Sequence, residues 1–270
     1  MISAEAALLE VRQLERLAGC DSPVHRIDPR AKILATLVFI VCVVSMGRYE
    51  LAALLPCFIF PVVMIASGGL PVRSLCFKIL LVIPFALVVG IFNPLIDREI
   101  LATVGSLQVS AGWFSFASIV LRSVLTVASA LILVSLTGFP ALCRGLLQLG
   151  MPKLFVAQLL FLYRYLFVLA EEAARLKLAR DQRCFGGQGA GIASFGPLMG
   201  HLLLRSWERA ERIYRAMLSR GFEGEFPHSG AGQFRTKDAL FLMGWSLLLI
   251  SIRLFDPAHF LGALFTGALR

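Results

Sequence analysis

The sequence predicts an all-α membrane protein with about five transmembrane helices and a cytoplasmic module of two long helices and one short amphipathic helix. Of its 270 residues, 58% are hydrophobic and only 16% are charged, and the mean hydropathy is +0.80. A soluble domain carries about a quarter charged residues, so this composition is typical of a membrane protein. The formal net charge is +9. In so apolar a chain it indicates basic loops facing the cytoplasm, with the lipid bilayer as a partner and no nucleic acid.

The part of the chain before the first apolar run is rich in charge. Residues 1–20 mix leucines with charged residues, which predicts an amphipathic helix on the membrane surface. Because acidic residues such as Glu5 and Glu10 interrupt this stretch, we expect no cleavable signal peptide. A basic segment with two prolines follows at residues 22–32, and within it Asp28 is predicted to cap a helix.

Five apolar runs predict the membrane spans. They lie near residues 31–47, 50–67, 75–93, 112–136 and 238–256. Some runs are only about 16 residues long and need flanking residues to cross a hydrocarbon layer of ~30 Å. Basic residues precede the first span and separate the second from the third, whereas the polar residues 95–111 are net acidic. Since positive loops stay inside, the N-terminus is predicted to be cytoplasmic.

A cytoplasmic module is predicted between the fourth and fifth spans. The chain is thereby divided into residues 1–136, 137–237 and 238–270. The module starts with a short amphipathic helix, and residues 153–183 then form one long helical pattern that hydropathy alone assigns to a span. Its charges as far as Arg175 share an arc of ~140°. Spanning would also place Arg164 near the bilayer centre, at a cost of about 2.5–3.5 kcal/mol. We therefore expect this helix to lie along the underside of the membrane part.

A second long helix is predicted to end at a glycine. Its apolar residues recur at alternating steps of four and three and so share one stripe: Leu203, Trp207, Ala210, Tyr214 and Met217. The opposite side carries two ion pairs at i,i+4 spacing, Glu208 with Arg212 and Glu211 with Arg215. Gly221 can leave the helix with positive φ. Arg220 then lies in the last turn, where the helix dipole favours a cation.

Three stretches of the sequence carry a resemblance to a known family. They are the basic segment at residues 22–32, the run Tyr163–Glu172 and the long helix at residues 203–222. Together they resemble the transmembrane T component of energy-coupling-factor (ECF) transporters, and the last is most similar to the cobalt-type branch, CbiQ. The resemblance covers nearly the whole chain. It implies a non-catalytic scaffold subunit of an ATP-driven importer in the cell (inner) membrane, for cobalt, with nickel or a vitamin as the alternative cargo.

The resemblance also implies partners and the residues that meet them. Two ATP-binding subunits would hydrolyse ATP, a separate integral membrane subunit would bind the substrate, and this chain would hold no cofactor. In that family two cytoplasmic helices end in an X-Arg-X motif whose arginine docks into an ATPase subunit. Ser219-Arg220-Gly221 is similar to the second motif. For the first, Arg183 and Arg180 are both candidates, and Arg183 is favoured because it ends its helix before a glycine-rich stretch. Apart from the resemblance, a guanidinium at a helix end is a rigid fork suited to carboxylates and carbonyls.

Arg122 lies inside the fourth apolar run and is the costliest residue of the chain to place in a membrane. It is either a coupling contact with a mobile partner or a buried charge satisfied by carbonyls of the bundle. The four histidines are dispersed and the six cysteines occur singly, so no metal site is predicted. Two alternatives from other classes are a membrane-embedded enzyme and a self-sufficient carrier. The spans offer neither a catalytic dyad for the first nor internal repeats for the second.

Overall fold

A computed structural model of the chain describes residues 19, 22–47, 51–93, 100–104, 107–183, 195–222 and 234–255. The predicted surface helix, the glycine-rich stretch after Arg183 and most of the polar loop after Phe222 lie outside these ranges. The described residues are predominantly helical, which confirms the predicted all-α membrane fold. They divide into two compact units. The bundle unit comprises residues 14–145 and 232–270, and the long-helix unit comprises residues 1–13 and 146–231.

The bundle unit contains most of the helices. They are α1 (Pro29–Ser45), α2 (Leu51–Leu54), a 3-10 helix (Pro56–Phe58), α3 (Ile59–Gly68), α4 (Val72–Gly90), α5 (Ala111–Thr137) and α9 (Thr236–Phe255). The boundary between the units falls within α6 (Phe139–Gln148). The long-helix unit contains α7 (Lys153–Arg183) and α8 (Phe195–Leu218). The predicted cap of the first helix is confirmed, because Asp28 Oδ1 accepts a hydrogen bond of 2.9 Å from the backbone N–H of Arg30.

The core of the bundle unit is aromatic and aliphatic. Phe60 of α3 stacks on Phe39 of α1, with ring centroids 4.6 Å apart, and meets the ring of Trp245 of α9 edge-on at 4.9 Å. Helix α1 packs against both α5 and α9, and α5 packs against α4 and α3 as well. Leu125 and Leu136 of α5 are fully buried in this core. The single α5 helix therefore organises the unit.

The second predicted span is not one continuous helix. Helix α2 ends at Leu54, a 3-10 helix begins at Pro56, and α3 starts at Ile59. Proline has no backbone N–H to donate to the preceding turn, so the α-helix cannot pass through Pro56 unchanged. Helix α3 then ends at Gly68, and the capping residue Gly69 has a φ of 62°, in the left-handed region that glycine tolerates.

A short hairpin occurs where the sequence analysis predicted only a polar segment. Strands β1 (Ile100–Val104) and β2 (Leu107–Ser110) pair antiparallel, with a bulge between Ile100 and Ala102. The pairing is local and joins the hairpin directly to the start of α5. Because the two strands are short, alternation of polar and apolar residues is too brief to predict them from sequence.

Three of the described helices are long and apolar enough to cross a membrane by length and composition. They are α4, the part of α5 from Gly112, and α7. The first two coincide with the third and fourth predicted spans. Helix α7 is the one that the sequence analysis placed beneath the membrane. Length and composition fit both placements of α7, so its position under the membrane stays a prediction that rests on its one-sided charge.

Candidate functional site

The end of α8 is a glycine-capped turn. Gly221 has a φ of 78°. The backbone N–H of Gly221 donates to the carbonyl of Leu218, and that of Phe222 donates to the carbonyl of Met217, both at 3.0 Å. This pair of bonds is the Schellman arrangement, in which a left-handed residue closes the last turn and satisfies the terminal carbonyls. The predicted role of Gly221 as the residue that ends the helix is therefore confirmed.

This turn presents Arg220 to solvent at the tip of α8. The Arg220 side chain is exposed, and none of the described carboxylates pairs with it. Ser219 beside it is also exposed, and its hydroxyl donates to the carbonyl of Ala216 at 3.1 Å. The cation lies at the end of the helix where the last carbonyls carry partial negative charge, which stabilises it there. The tip is thus a fixed backbone with an accessible guanidinium.

The two candidates at the end of α7 have different surroundings. Arg180 is half-buried, and its Nη2 pairs with the carboxylate of Asp181 at 2.9 Å. Arg183 is exposed and is the last residue of α7. The glycine-rich stretch that follows it lies outside the described residues. Of the two guanidiniums, only that of Arg183 is presented at a helix end in the manner of Arg220.

One acidic residue links α7 to α8 by ion pairs. Glu172 of α7 forms ion pairs with Arg205, and with Arg209 at 3.8 Å.

The two predicted pairs within α8 are present at 3.8 Å for Glu208 with Arg212 and 3.4 Å for Glu211 with Arg215. Both of those pairs are exposed. Exposed pairs contribute at most about 1 kcal/mol each, so they support the helix without fixing its neighbours.

The predicted apolar stripe of α8 is divided in two by the structure. Ala210 and Met217 line an apolar cleft of about 570 Å³ between α7 and α8. Leu203, Trp207 and Tyr214 lie outside this cleft and are exposed; the first two expose 68% and 69% of their surface. The stripe is wider than α7 can cover. The structure thus leaves an exposed apolar face on α8, defined by Leu203, Trp207, Tyr214 and Leu218.

Arg122 is satisfied within the bundle unit by backbone carbonyls. Its Nη2 donates to the carbonyl of Met46 at 2.8 Å and also to that of Gly47. These carbonyls follow the last residue of α1, Ser45, at the end where the helix dipole is negative and attracts a cation. Arg122 is half-buried, and these bonds are of the kind that the interpretation as a charge satisfied by carbonyls expects. The alternative, a coupling contact with a mobile partner, stays a prediction.

A second buried cation, Lys32, was not recognised in the sequence. Only 2% of it is exposed, and its Nζ donates to the carbonyls of Leu136 at 3.1 Å and His25 at 3.3 Å. Asp238, also buried, accepts hydrogen bonds from the backbone N–H groups of Asp28 at 2.9 Å and Arg235 at 2.8 Å. The sequence signal that could have indicated this buried polar site is Asp238, an aspartate at the start of the fifth predicted span.

No cluster of three or more histidine, cysteine, aspartate or glutamate side chains that could hold a metal occurs in the part of the chain that the structure describes. One buried cysteine, Cys143 in α6, fits the predicted role of a small apolar filler. Burial raises the pKa of its thiol, so the neutral form that packs well in an apolar site is favoured.

Comparison with known proteins identifies the family. The family CbiQ, cobalt transport protein, matches residues 21–229. The chain belongs to the CbiQ family. The ECF transporter transmembrane protein EcfT of Heliobacterium modesticaldum is 30% identical over 224 residues, which cover 76% of this chain and 81% of that relative. The match therefore extends over most of both proteins.

Other relatives of this CbiQ-family chain match over shorter segments. The fused cobalt transport protein CbiMQ of Methanocorpusculum labreanum, itself named as putative, is 31% identical over 121 residues, 43% of this chain and 20% of the relative. The uncharacterized protein MJ1089 of Methanocaldococcus jannaschii is 35% identical over 79 residues, 29% of this chain and 30% of the relative. The chain thus covers less than a third of these two proteins. Over most of its length the chain is therefore similar to a transmembrane component of ECF transporters.

Proposed function

We propose that this chain is the scaffold of an ATP-driven ECF importer, which couples two ATP-hydrolysing subunits to a separate substrate-binding membrane subunit. The observation that carries the proposal is the tip of α8. There a Schellman turn fixes the backbone and leaves Arg220 exposed beside Gly221. An exposed guanidinium on a rigid helix end is suited to a groove lined by carboxylates or carbonyls.

The second ATPase subunit would engage the end of α7. Arg183 is exposed there as the last helical residue, whereas Arg180 is engaged by Asp181. Two arginine-tipped helices would bind two copies of one partner. If those copies approach and separate as ATP is bound and hydrolysed, α7 and α8 would be moved with them as rigid levers.

The substrate-binding subunit would dock on the exposed apolar face of α8. Leu203, Trp207, Tyr214 and Leu218 form that face. Exposed aromatic and aliphatic clusters of this kind mark interaction surfaces, and buried tryptophans carry much of the binding energy at interfaces. An apolar docking surface also suits a partner that is itself a membrane protein.

Cobalt is the proposed cargo, with nickel or a vitamin as the alternative. The family description names cobalt transport, and so does the name of the fused CbiMQ relative. The metal would be bound by the substrate-binding subunit, and ATP by the ATPase subunits. The complex would reside in the cell (inner) membrane with the N-terminus of this chain in the cytoplasm.

The test is co-purification of the complex in mild detergent, together with cobalt uptake. We expect Arg220→Ala and Arg183→Ala each to weaken ATPase retention and uptake, since loss of one buried interfacial charge costs about 2–5 kcal/mol. The double variant should lose the ATPases altogether, because each contact raises the effective concentration of the other. Arg180→Ala should be milder. Arg212→Ala removes an exposed arginine of α8 away from the tip and is the matched control.

Full ATPase retention and full uptake in the double variant would refute the coupling role of the two tips. Retention of the ATPases in the tip variants with loss of uptake would show that the two arginines transmit the ATPase motion but are not needed to hold the subunits. Supplying nickel in place of cobalt to the same cells tests the cargo, and uptake of nickel alone would replace cobalt in the proposal.

A further inference from the structure

The apolar cleft between α7 and α8 is an open groove inside the long-helix unit. Its two walls run from Gln158 to Leu169 on α7 and from Ser206 to Met217 on α8. Each wall covers eleven residue steps, which is ~16 Å at 1.5 Å per residue. Ile213 and Met217 remain only half-buried in it. A volume of about 570 Å³ with a mainly apolar lining is typical of a surface that is covered by another group.

The cleft carries a surplus of positive charge on one side. Arg209 lines the cleft, and its Nη2 lies 3.8 Å from the carboxylate of Glu172. The same carboxylate also pairs with Arg205, so the three side chains together carry a net charge of +1. The two arginines are at i,i+4 spacing, where like charges repel each other. An occupant that brings a carboxylate beside an apolar face would relieve this repulsion, because a guanidinium fork suits carboxylates.

The start of the chain has this combination of an apolar face and carboxylates. Residues 1–13 belong to the same unit as the cleft. In the helix that their sequence predicts, one face would be shared by four residues at steps of three, one and three, Ala4, Ala7, Leu8 and Val11. Glu5 and Glu10 would lie on either side of that face. The face is seven steps or ~10 Å long, so it is short enough for a cleft of ~16 Å.

The charge of this segment also complements that of its unit. Residues 1–13 contain two glutamates and one arginine, a net charge of −1 in a chain whose net charge is +9. Because the segment is part of the same chain, its effective concentration at the cleft exceeds that of a free partner of the same affinity. Charge, length and connection therefore favour this segment as the occupant.

We propose that the N-terminal segment, residues 1–13, binds in the cleft between α7 and α8 of its own chain. Leu8 and Val11 would lie between the two walls, and the carboxylate of Glu10 would pair with Arg209. The cleft is separate from the exposed apolar face of α8, so this proposal does not depend on where the substrate-binding subunit docks. The segment would add a third element to the long-helix unit.

The test is disulfide cross-linking of the purified full chain in mild detergent, with an added oxidant and in a cysteine-free background. We expect Leu8→Cys to cross-link within one chain to Ala210→Cys, which lines the cleft, and not to Tyr214→Cys on the exposed face of α8. Adding Val11→Asp should lower the yield about tenfold or more, since a carboxylate would be buried among apolar groups. Leu9→Asp is the matched control and should leave the yield unchanged, because Leu9 lies on the opposite side of the predicted helix.

The proposed ion pair gives a smaller effect. Glu10→Gln should lower the yield of the Leu8–Ala210 cross-link by up to about fivefold, because a partly exposed pair is weak. High salt should reproduce this loss in the parent and change little in Glu10→Gln. A salt effect of the same size in both proteins would overturn the assignment of Glu10 to Arg209.

Three results would overturn the docking itself. Equal cross-linking to Ala210→Cys and Tyr214→Cys, or equal effects of Val11→Asp and Leu9→Asp, would show a contact without a defined site. Cross-links formed only between two chains would assign the cleft to the segment of a second copy. Loss of the cross-link after reconstitution into phosphatidylglycerol vesicles would show that the segment lies on the membrane surface instead.

Discussion

The bundle unit and the long-helix unit place their charged residues in opposite ways. In the bundle unit, Lys32 and Arg122 lie among packed helices and bond to carbonyls at helix ends. In the long-helix unit, Arg212 and Arg220 are exposed, and so is the apolar ring of Trp207. Removing a cation that is bonded inside the unit leaves its buried partners unsatisfied and is therefore costly. Exposed charges and exposed apolar surface leave binding energy available to partners. The first unit thus bonds these two cations internally, whereas the second presents Arg212 and Arg220 to solvent.

The largest expected effect concerns the side of the membrane on which the long-helix unit lies. In a cysteine-free background we expect Met151→Cys and Arg183→Cys, which flank α7, to react only with reagents that reach the cytoplasm. A control cysteine at Gly47, beyond α1, should react from outside. The measurement is labelling of intact cells. Reaction of Met151→Cys and Arg183→Cys from opposite sides would make α7 a span and remove the contrast between the two units.

A buried charge and an exposed charge should differ strongly in their effect on stability. Lys32→Met removes the cation that bonds to the carbonyls of Leu136 and His25, and should lower the free energy of unfolding by about 3–5 kcal/mol. Arg212→Ala removes one partner of an exposed pair in α8 and should cost less than about 1 kcal/mol. Thermal unfolding in detergent measures both. Similar shifts for the two variants would contradict the comparison.

The exposed apolar face of α8 should matter for assembly rather than for folding. Trp207→Ser is expected to leave the melting temperature of the isolated chain nearly unchanged, because the ring is exposed. In the complex it should cost about 2 kcal/mol or more in retention of the second membrane protein. Ile213→Ser, in the cleft between α7 and α8, is the control and should lower stability instead. Unaltered retention in Trp207→Ser would exclude this face as the docking surface.

A glycine in each unit allows a matched comparison of backbone strain. Gly221 and Gly69 have φ of 78° and 62°, and a Cβ would meet no atom within 4 Å at either. Alanine at either position should therefore cost about 1–2 kcal/mol through the left-handed conformation alone. Only Gly221→Ala should also reduce ATPase retention, because it loosens the turn that presents Arg220. Equal ATPase retention in Gly221→Ala and Gly69→Ala would show that the coupling function does not depend on the turn at Gly221.

The smallest expected effect is at the ion pairs between α7 and α8. Glu172→Gln removes the carboxylate shared by Arg205 and Arg209, and should cost up to about 1 kcal/mol because both arginines are exposed. A double-mutant cycle with Arg205→Ala isolates the coupling energy of the pair. If Glu172→Gln lowered the free energy of unfolding as much as Lys32→Met, the ion pairs of the long-helix unit would be as important for stability as the buried cation of the bundle unit.

The sequence by itself determined the features that depend on neighbours a few residues away. The Asp28 cap, the two i,i+4 pairs of α8 and the glycine that ends it all follow from such spacing, and all are present. The third and fourth spans also follow from continuous hydropathy. Recognition of the family rested on the same kind of local pattern.

Only the tertiary structure decided which distant groups meet. Asp238 bonds to the backbone of Asp28 across 210 positions, and Lys32 bonds to a carbonyl 104 positions away. Every residue has a backbone carbonyl, so no residue type identifies the one that a buried cation will find. The apolar stripe of α8 is divided for the same reason. The spacing of apolar residues in the sequence sets the width of the stripe, but the packing of α7 decides which of those residues are covered. Local spacing can be predicted from sequence, whereas bonds to distant backbone atoms depend on how the helices pack.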